Sequence, residues 1–350
     1  MVHDEMLEGG HEQVTHVVDE ASGLRAIVAL HDTTLGPGLG GTRLLPYETE
    51  ADALRDVLRL SRAMTYKAAA ADLELGGGKA VIVADPAAKS EAMMAAYGRF
   101  VDRLGGDYIT SVDVNTGVEE MDVIAEETDH VTGTSDGLGD PSPVTSRGVF
   151  AGVRASVETV YGTDDLSDRT VLVQGLGKVG SGLAERALEA GATVKVSDVD
   201  EAAVEAFAAT HDVGVVPPEA VYEEPCDVFS PCAIGGVVND ETVPKLECDI
   251  VAGGANNVLE AREHAEQLRE REILYAPDYV LNAGGLITVA TEYRGGTMNE
   301  ALAEADRIGD RLLDLFERAE DREITPLEAA DAYAQERIAA GGGTALAASD

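Results

Sequence analysis

The chain has 350 residues, 45% of them hydrophobic, with 65 acidic against 26 basic side chains and a formal net charge of −39. That length suggests two domains, and the apolar share suffices for a substantial core, so the charge does not imply disorder. It does argue against nucleic acid or an anionic membrane surface as a partner, since both repel a strongly negative protein.

The acids are spread along the chain rather than blocked at one end, and only six lysines accompany 20 arginines. This composition predicts adaptation to high salt, where counterions screen self-repulsion. No basic and apolar leader opens the sequence, and no apolar run approaches the roughly 18 residues of a membrane span, so the expected location is cytoplasmic. Cys226, Cys232 and Cys248 lack CxxC spacing and lie in apolar surroundings. They are expected as buried free thiols, with no metal site.

In chain order, alternating segments at 14–19 and 24–31 flank Glu20-Ala21-Ser22-Gly23 and predict an antiparallel hairpin. A helix follows Thr49, a suitable N-cap, with Leu54, Val57 and Leu58 on one face, and it delivers Lys67. A short strand at 80–84 is stopped by Asp85-Pro86, residues 90–104 form an amphipathic helix, and 108–111 is a strand ending close to Asp113. The run Gly137-Leu138-Gly139-Asp140-Pro141-Ser142-Pro143 reads as a linker, and a helix is expected over 146–161.

A strand at 170–174, a helix to Ala190 and a strand at 193–197 come next. Alternation continues through 226–229 and 249–252, which predicts a parallel sheet covered by helices. Helices are expected again over 299–317 and 326–339, with a frayed segment at Gly341-Gly342-Gly343. The fold class is therefore α/β in two domains. Residues 1–138 form an N-terminal substrate and oligomerisation domain, and 139–318 a Rossmann-type dinucleotide domain. Residues 319–350 supply a C-terminal helix and tail.

The cofactor signal is specific because of its context. Gly175-Leu176-Gly177-Lys178-Val179-Gly180 follows an apolar strand and opens a helix, and Asp198 ends the next strand. Such glycines permit the tight turn, the approach of a pyrophosphate and close helix packing, while the helix N-terminus offers amides to phosphate. A carboxylate at 198 can accept from a ribose 2′-hydroxyl and would repel a 2′-phosphate, so NAD is expected over NADP.

Two of the six lysines, Lys67 and Lys79, sit in the apolar, glycine-rich runs Met64-Thr65-Tyr66-Lys67 and Gly76-Gly77-Gly78-Lys79. A desolvated lysine can lose its proton near neutral pH, whereas arginine stays charged. The plainer account is that both are core-edge lysines with buried stems. Asp113 alone is as compatible with a helix cap as with a catalytic acid. Asn256-Asn257 follows a strand at the edge where open parallel sheets bind ligands. Together, two lysines, one carboxylate and a dinucleotide site suggest proton transfer coupled to redox chemistry.

These runs, with Gly38-Leu39-Gly40-Gly41-Thr42-Arg43, Asp140-Pro141-Ser142-Pro143-Val144-Thr145, Ser230-Pro231-Cys232-Ala233 and Tyr275-Ala276-Pro277-Asp278-Tyr279-Val280-Leu281-Asn282-Ala283-Gly284-Gly285, resemble the leucine/phenylalanine/valine dehydrogenases. These are glutamate dehydrogenase-like amino acid dehydrogenases. The resemblance covers roughly residues 24–316 in order.

It implies NAD-coupled oxidative deamination of an L-amino acid, an active site in the interdomain cleft, a C-terminal helix returning to the first domain, and association of subunits. Lys67 would bind the substrate carboxylate beside the Gly40-Gly41 backbone, Lys79 would be the general acid/base, and Asp113 would hold the amino group. Leu39, Ser111, Leu286 and Val289 would surround the side chain, and Asn257 would bridge substrate and nicotinamide. Thr145, Cys232, Ala233 and Asn256 would join the glycine loop and Asp198 around the cofactor. Val112 stands where the family pattern suggests an acid. A glutamate dehydrogenase would need a cationic or polar group at the far end of the pocket. A non-catalytic nucleotide-binding regulator would not need Lys67, Lys79 and Asp113 together.

Overall fold

A computed structural model describes residues 2–345, and these separate into two compact units. The first comprises residues 2–139, 289–297 and the part of the chain from Tyr333 onward; the second comprises 140–288 and 298–332. Residues 289–297 thus group with the first unit, although they fall inside the 139–318 range expected for the second.

In the first unit the chain runs α1 (Val2–Gly9), β1 (Gln13–Asp19), β2 (Leu24–Leu30), β3 (Gly38–Leu45), α2 (Glu50–Ala70), β4 (Gly76–Val83), α3 (Glu91–Arg103), β5 (Tyr108–Ser111) and α4 (Val118–Ala125). The sheet order is β1-β2-β4-β3-β5. β1 and β2 form the expected antiparallel hairpin, β4 runs antiparallel to β2, and β3 is parallel to both β4 and β5. Thr49 caps α2 by accepting from the Asp52 amide, and Ser90 caps α3 by accepting from Met93. Leu54, Val57 and Leu58 of α2 pack with Ile27, Ala29 and Val81 of the sheet. Met93, Met94, Tyr97 and Val101 of α3 pack with Leu44, Ala80, Ile82 and Tyr108.

β4 begins at Gly76, four residues before the expected strand, because its glycines are buried sheet residues rather than a loop. A Cβ at Gly77 would lie 2.1 Å from Thr65 Oγ1 and 2.3 Å from the Ser61 carbonyl oxygen. α2 therefore rests directly on the β4 backbone. Thr65 precedes Lys67 by two residues and Gly77 precedes Lys79 by two, so one close contact sets both lysine-bearing segments.

From residue 140 onward the order is α5 (Ser142–Tyr161), β6 (Thr170–Gln174), α6 (Lys178–Glu189), β7 (Thr193–Ser197), α7 (Glu201–Ala208), β8 (Gly214–Val215), β9 (Val228–Pro231), β10 (Ile250–Val251), α8 (Glu263–Glu270), β11 (Leu274–Tyr275), α9 (Asp278–Leu281), α10 (Gly284–Tyr293), α11 (Met298–Arg322) and α12 (Pro326–Ala345), with the later part of α10 and of α12 belonging to the first unit. The six strands are parallel in the order β11-β10-β9-β6-β7-β8, the doubly wound Rossmann arrangement. α5 starts at Ser142, four residues earlier than expected: Pro141 and Pro143 occupy its N-cap and first turn, where a missing N–H costs no intrahelical bond.

α12 runs to Ala345, through Gly341-Gly342-Gly343, the segment expected to fray. At Gly341 a Cβ would come within 2.9 Å of Leu35, so the glycine permits close packing there. Residues 346–350, the remainder of the expected tail, lie outside the described residues. Tyr333 donates to Asp72, and Arg337 donates to the carbonyls of Ala69, in the last turn of α2, and of Leu73 just beyond it. Of the three thiols only Cys248 is buried outright; Cys226 and Cys232 are half-buried, and all three are free.

Surface ion pairs such as Arg269–Glu266 and Arg307–Glu304 are i,i+3 contacts open to solvent, where screening and side-chain entropy leave little net stabilisation. They do not offset repulsion among 65 carboxylates. The expected result of thermal melts from low to molar KCl is a rising melting temperature as this repulsion is screened. A flat or falling melting temperature would remove the high-salt reading. Among the described residues no helix is long and apolar enough to cross a membrane.

Candidate functional site

Lys79 is central to the first unit's polar cluster. It lies on β4 with only 7% exposure, and its Nζ is 2.7 Å from Oδ2 of Asp113. Burial lowers its pKa from 10.5, outweighing the opposing pull of Asp113. A lysine held this way can give up its proton more readily than one in water.

Asp113 reaches Lys79 because β3 carries glycine at position 41. A Cβ there would lie 2.3 Å from the Val112 carbonyl oxygen and 2.9 Å from Asp113 Cβ, so the chain after β5 crosses the bare β3 backbone. The crossing is fastened by Thr116, whose hydroxyl accepts from the Asp113 amide at 3.0 Å and donates to the Thr42 carbonyl at 2.6 Å. The register pairs Leu39 with Gly77 and Thr42 with Ala80, setting Gly41 beside Lys79, while Gly41 pairs with Ser111 on β5. Leu39, Gly41, Lys79 and Ser111 therefore share the sheet face on which α2 packs. Lys67 is half-buried near the end of α2, where a cation is favoured by the helix dipole. Gly40 is fixed by the Tyr108 hydroxyl, which donates to its carbonyl at 2.6 Å. Ser111 Oγ is buried without a hydrogen-bond partner. Val112 is exposed.

Several members of this cluster were not singled out by sequence reasoning. Arg43 donates through Nε to Asp113 Oδ2 at 3.3 Å and through Nη1 to Asp56 Oδ2 at 3.1 Å. The Tyr47 hydroxyl donates to the same Asp56 oxygen at 2.7 Å. Although burial opposes the charged form of Arg43, Asp113 and Asp56 raise its pKa further. Beneath β3 and β5, the hydroxyls of Thr42, Tyr97 and Thr110 form a buried network with two 2.6 Å contacts.

His31 was missed as well. Its Nε2 faces the Gly9 carbonyl and so carries the proton, leaving Nδ1 to accept from Thr65 at 2.9 Å. Burial lowers its pKa from 6.5 to about 4. An unfolded chain would bind this proton below about pH 6.5 while the native state does not until about pH 4. Stability is therefore expected to fall as pH drops through that window. Urea melts should show a shallower fall for His31→Gln; an identical slope would refute the assignment.

The second unit presents a separate constellation at the carboxyl ends of β6, β7, β9 and β10. Gly175 has φ +101° and its Cβ position meets Ala233, while a Cβ at Gly180 would lie 1.9 Å from the Gly175 carbonyl oxygen. At exposed Gly177 nothing lies within 4 Å of a Cβ, leaving open space at the α6 N-terminus beside Leu176, Lys178 and Val179. Asp198 directly follows β7 and accepts from the Leu176 amide at 2.6 Å and the Asp200 amide at 2.9 Å, which leaves further lone pairs for hydroxyl donors. Cys232 accepts from the Gly254 amide, and burial pushes its thiol up to about 11, which keeps it protonated at neutral pH. Thr145 on α5 donates to the Pro141 carbonyl and retains acceptor capacity. Asn256 accepts from Asn282 at 2.9 Å, and exposed Asn257 holds φ +52°. A dinucleotide fits this donor set: open backbone for phosphate at a helix N-terminus and a carboxylate one strand away for ribose. Leu286 is buried and Val289 half-buried on α10.

Comparison with known proteins decides the family. Residues 11–130 match the model of the Glu/Leu/Phe/Val dehydrogenase dimerisation domain, and residues 137–206 and 195–340 match that of glutamate/leucine/phenylalanine/valine dehydrogenase. The chain belongs to this dehydrogenase family. It is 46% identical to leucine dehydrogenase of Bacillus subtilis, over 94% of this chain and 91% of the relative. It is 49% identical to valine dehydrogenase of Streptomyces albus, over 95% and 93%. The crystal structure of L-tryptophan dehydrogenase from Nostoc punctiforme aligns at TM-score 0.91 and 43% identity, covering 97% of this chain and 99% of that one. Membership in the Glu/Leu/Phe/Val dehydrogenases makes the chain an oxidoreductase of the amino acid dehydrogenase class, dependent on a nicotinamide dinucleotide.

Proposed function

We propose that this dehydrogenase catalyses the reversible, NAD-dependent oxidative deamination of a branched-chain or other apolar L-amino acid to its 2-oxo acid and ammonia. The observation that carries this reading is the buried Lys79–Asp113 pair at 2.7 Å, with the lysine's pKa lowered. Lys67 would hold the substrate carboxylate beside the Gly40-Gly41 backbone. Asp113 would accept from the amino group and stabilise the positive charge that grows on nitrogen as Cα is oxidised. Lys79 would take a proton from the water attacking the resulting iminium carbon, then return it as ammonia leaves. Leu39, Ser111, Leu286 and Val289 would receive the side chain.

The cofactor would be held by the glycine loop at 175–180, Asp198, Thr145, Cys232, Ala233, Asn256 and Asn257, and when bound its nicotinamide supplies the hydride acceptor. The Asp198 carboxylate supports NAD over NADP, since a 2′-phosphate beside it would be repelled. The match of residues 11–130 to a dimerisation-domain model supports association of copies of the chain. The test is the near-ultraviolet absorbance of reduced nicotinamide during incubation with NAD or NADP and a panel of L-amino acids. No reduction with any of them would reject the proposal.

A further inference from the structure

Asp113 does not serve Lys79 alone. Its Oδ2 receives Lys79 Nζ at 2.7 Å and Arg43 Nε at 3.3 Å. Arg43 also reaches Asp56 Oδ2 through Nη1 at 3.1 Å, and Asp56 is held by Tyr47 and by Arg59 at 2.8 Å. The planar guanidinium fork spans two carboxylates at once, which a single ammonium on a flexible stem does not do with comparable rigidity. The cluster is well sheltered: the Arg43, Asp56 and Asp113 side chains are each no more than 20% exposed.

We infer that Arg43, anchored by Asp56, is a positioning residue that divides Asp113 between two cations and so governs the pH range in which Lys79 acts as a base. This rests on the proposed role of Lys79. Arg43 is charged at every accessible pH, so it opposes a second positive charge at Lys79 both directly and by engaging the carboxylate that would favour it. Asp56 acts in the other direction, as an additional negative charge.

The charged groups acting on Lys79 come from different elements: Asp113 after β5, Arg43 on β3 and Asp56 on α2. α2 also carries Lys67. On β2 the residue opposite Lys79 is Ala29, and Arg25 lies four residues earlier on that strand. The two neighbours Arg43 and Asp56 therefore predict shifts of opposite sign, a pattern that simple loss of structure does not generate.

The experiment is the pH dependence of kcat/KM for deamination in Arg43→Gln, Arg43→Lys and Asp56→Asn, with thermal melts to confirm folding. The rising limb should move to higher pH by about one pH unit in Arg43→Gln, the scale on which one nearby screened charge acts. It should move to lower pH in Asp56→Asn. Arg43→Lys keeps the charge and should hold the limb near its original position while lowering kcat through loss of the fork. Limbs that coincide with the wild type, or that move in the same direction in Arg43→Gln and Asp56→Asn, would overturn the inference. If Arg43→Gln does not fold, a limb that moves to lower pH in Asp56→Asn and stays in place in Arg43→Lys still supports the inference, and an unmoved or raised limb in Asp56→Asn overturns it. Lys79→Ala separates the two levels: activity retained there rejects the role of Lys79 itself. Activity lost there, with unmoved limbs in the other variants, rejects only the role of Arg43.

Discussion

Lys79→Ala should lower turnover by roughly 10²–10⁴-fold, the usual worth of a general acid/base, while leaving dinucleotide binding intact. The structure supplies the reasons for both halves. Lys79 is buried at the row formed by β4, β3 and β5, and its pKa is lowered because burial outweighs Asp113. An ammonium in that position is easier to neutralise than one in water, which suits a group that must accept a proton. Truncation would not leave Asp113 without a cation, since Arg43 still donates to it at 3.3 Å. The fold should therefore survive, and the second unit's glycine loop with Asp198 is built from other residues. Fluorescence titration with reduced nicotinamide would check binding and steady-state assays would check turnover. Turnover near the wild-type value would remove Lys79 from the proton-transfer role.

Legibility in the sequence followed the range of the interaction. The β6–α6–β7 segment was readable because alternation, the glycine spacing and Asp198 all lie within thirty residues and each obeys a local rule. Thr49 was readable as a cap for the same reason. β3 was not, because Gly38-Leu39-Gly40-Gly41 lacks strand propensity and becomes a strand only when β4 and β5 pair on either side.

Arg43, Asp56 and Asp113 meet across β3, α2 and the chain after β5, a contact no local pattern encodes. The resemblance of the motifs pointed to Lys67, Lys79 and Asp113, and the geometry places Asp113 against Lys79 through the absence of a side chain at Gly41. The linker expectation at 137–143 failed at its end for a simple reason. Proline disrupts a helix interior but fits its first turn, and Pro141-Ser142-Pro143 sits there. His31 was invisible because its meaning depends on Gly9 and Thr65, distant residues that fix its tautomer.

The substrate panel should show high kcat/KM for leucine, isoleucine or valine, a lower value for phenylalanine and the lowest for glutamate. Of the four proposed lining residues, Leu39, Leu286 and Val289 are aliphatic and Ser111 is neutral. A side-chain carboxylate placed among them would lose its hydration without gaining a cation, at a cost of several kcal/mol. That penalty is large enough to set the order between glutamate and the aliphatic substrates. Size is a weaker discriminator. One methylene is worth only about 1–3 kcal/mol, so leucine and valine should differ modestly. Leu286 and Val289, if they line the side-chain pocket as proposed, would narrow it against an aromatic ring, whereas Ser111 is small and buried with an unpaired hydroxyl. Phenylalanine emerging as the best substrate would overturn the width argument alone. Glutamate emerging as the best would overturn the pocket itself, because no arrangement of these four side chains compensates a buried carboxylate.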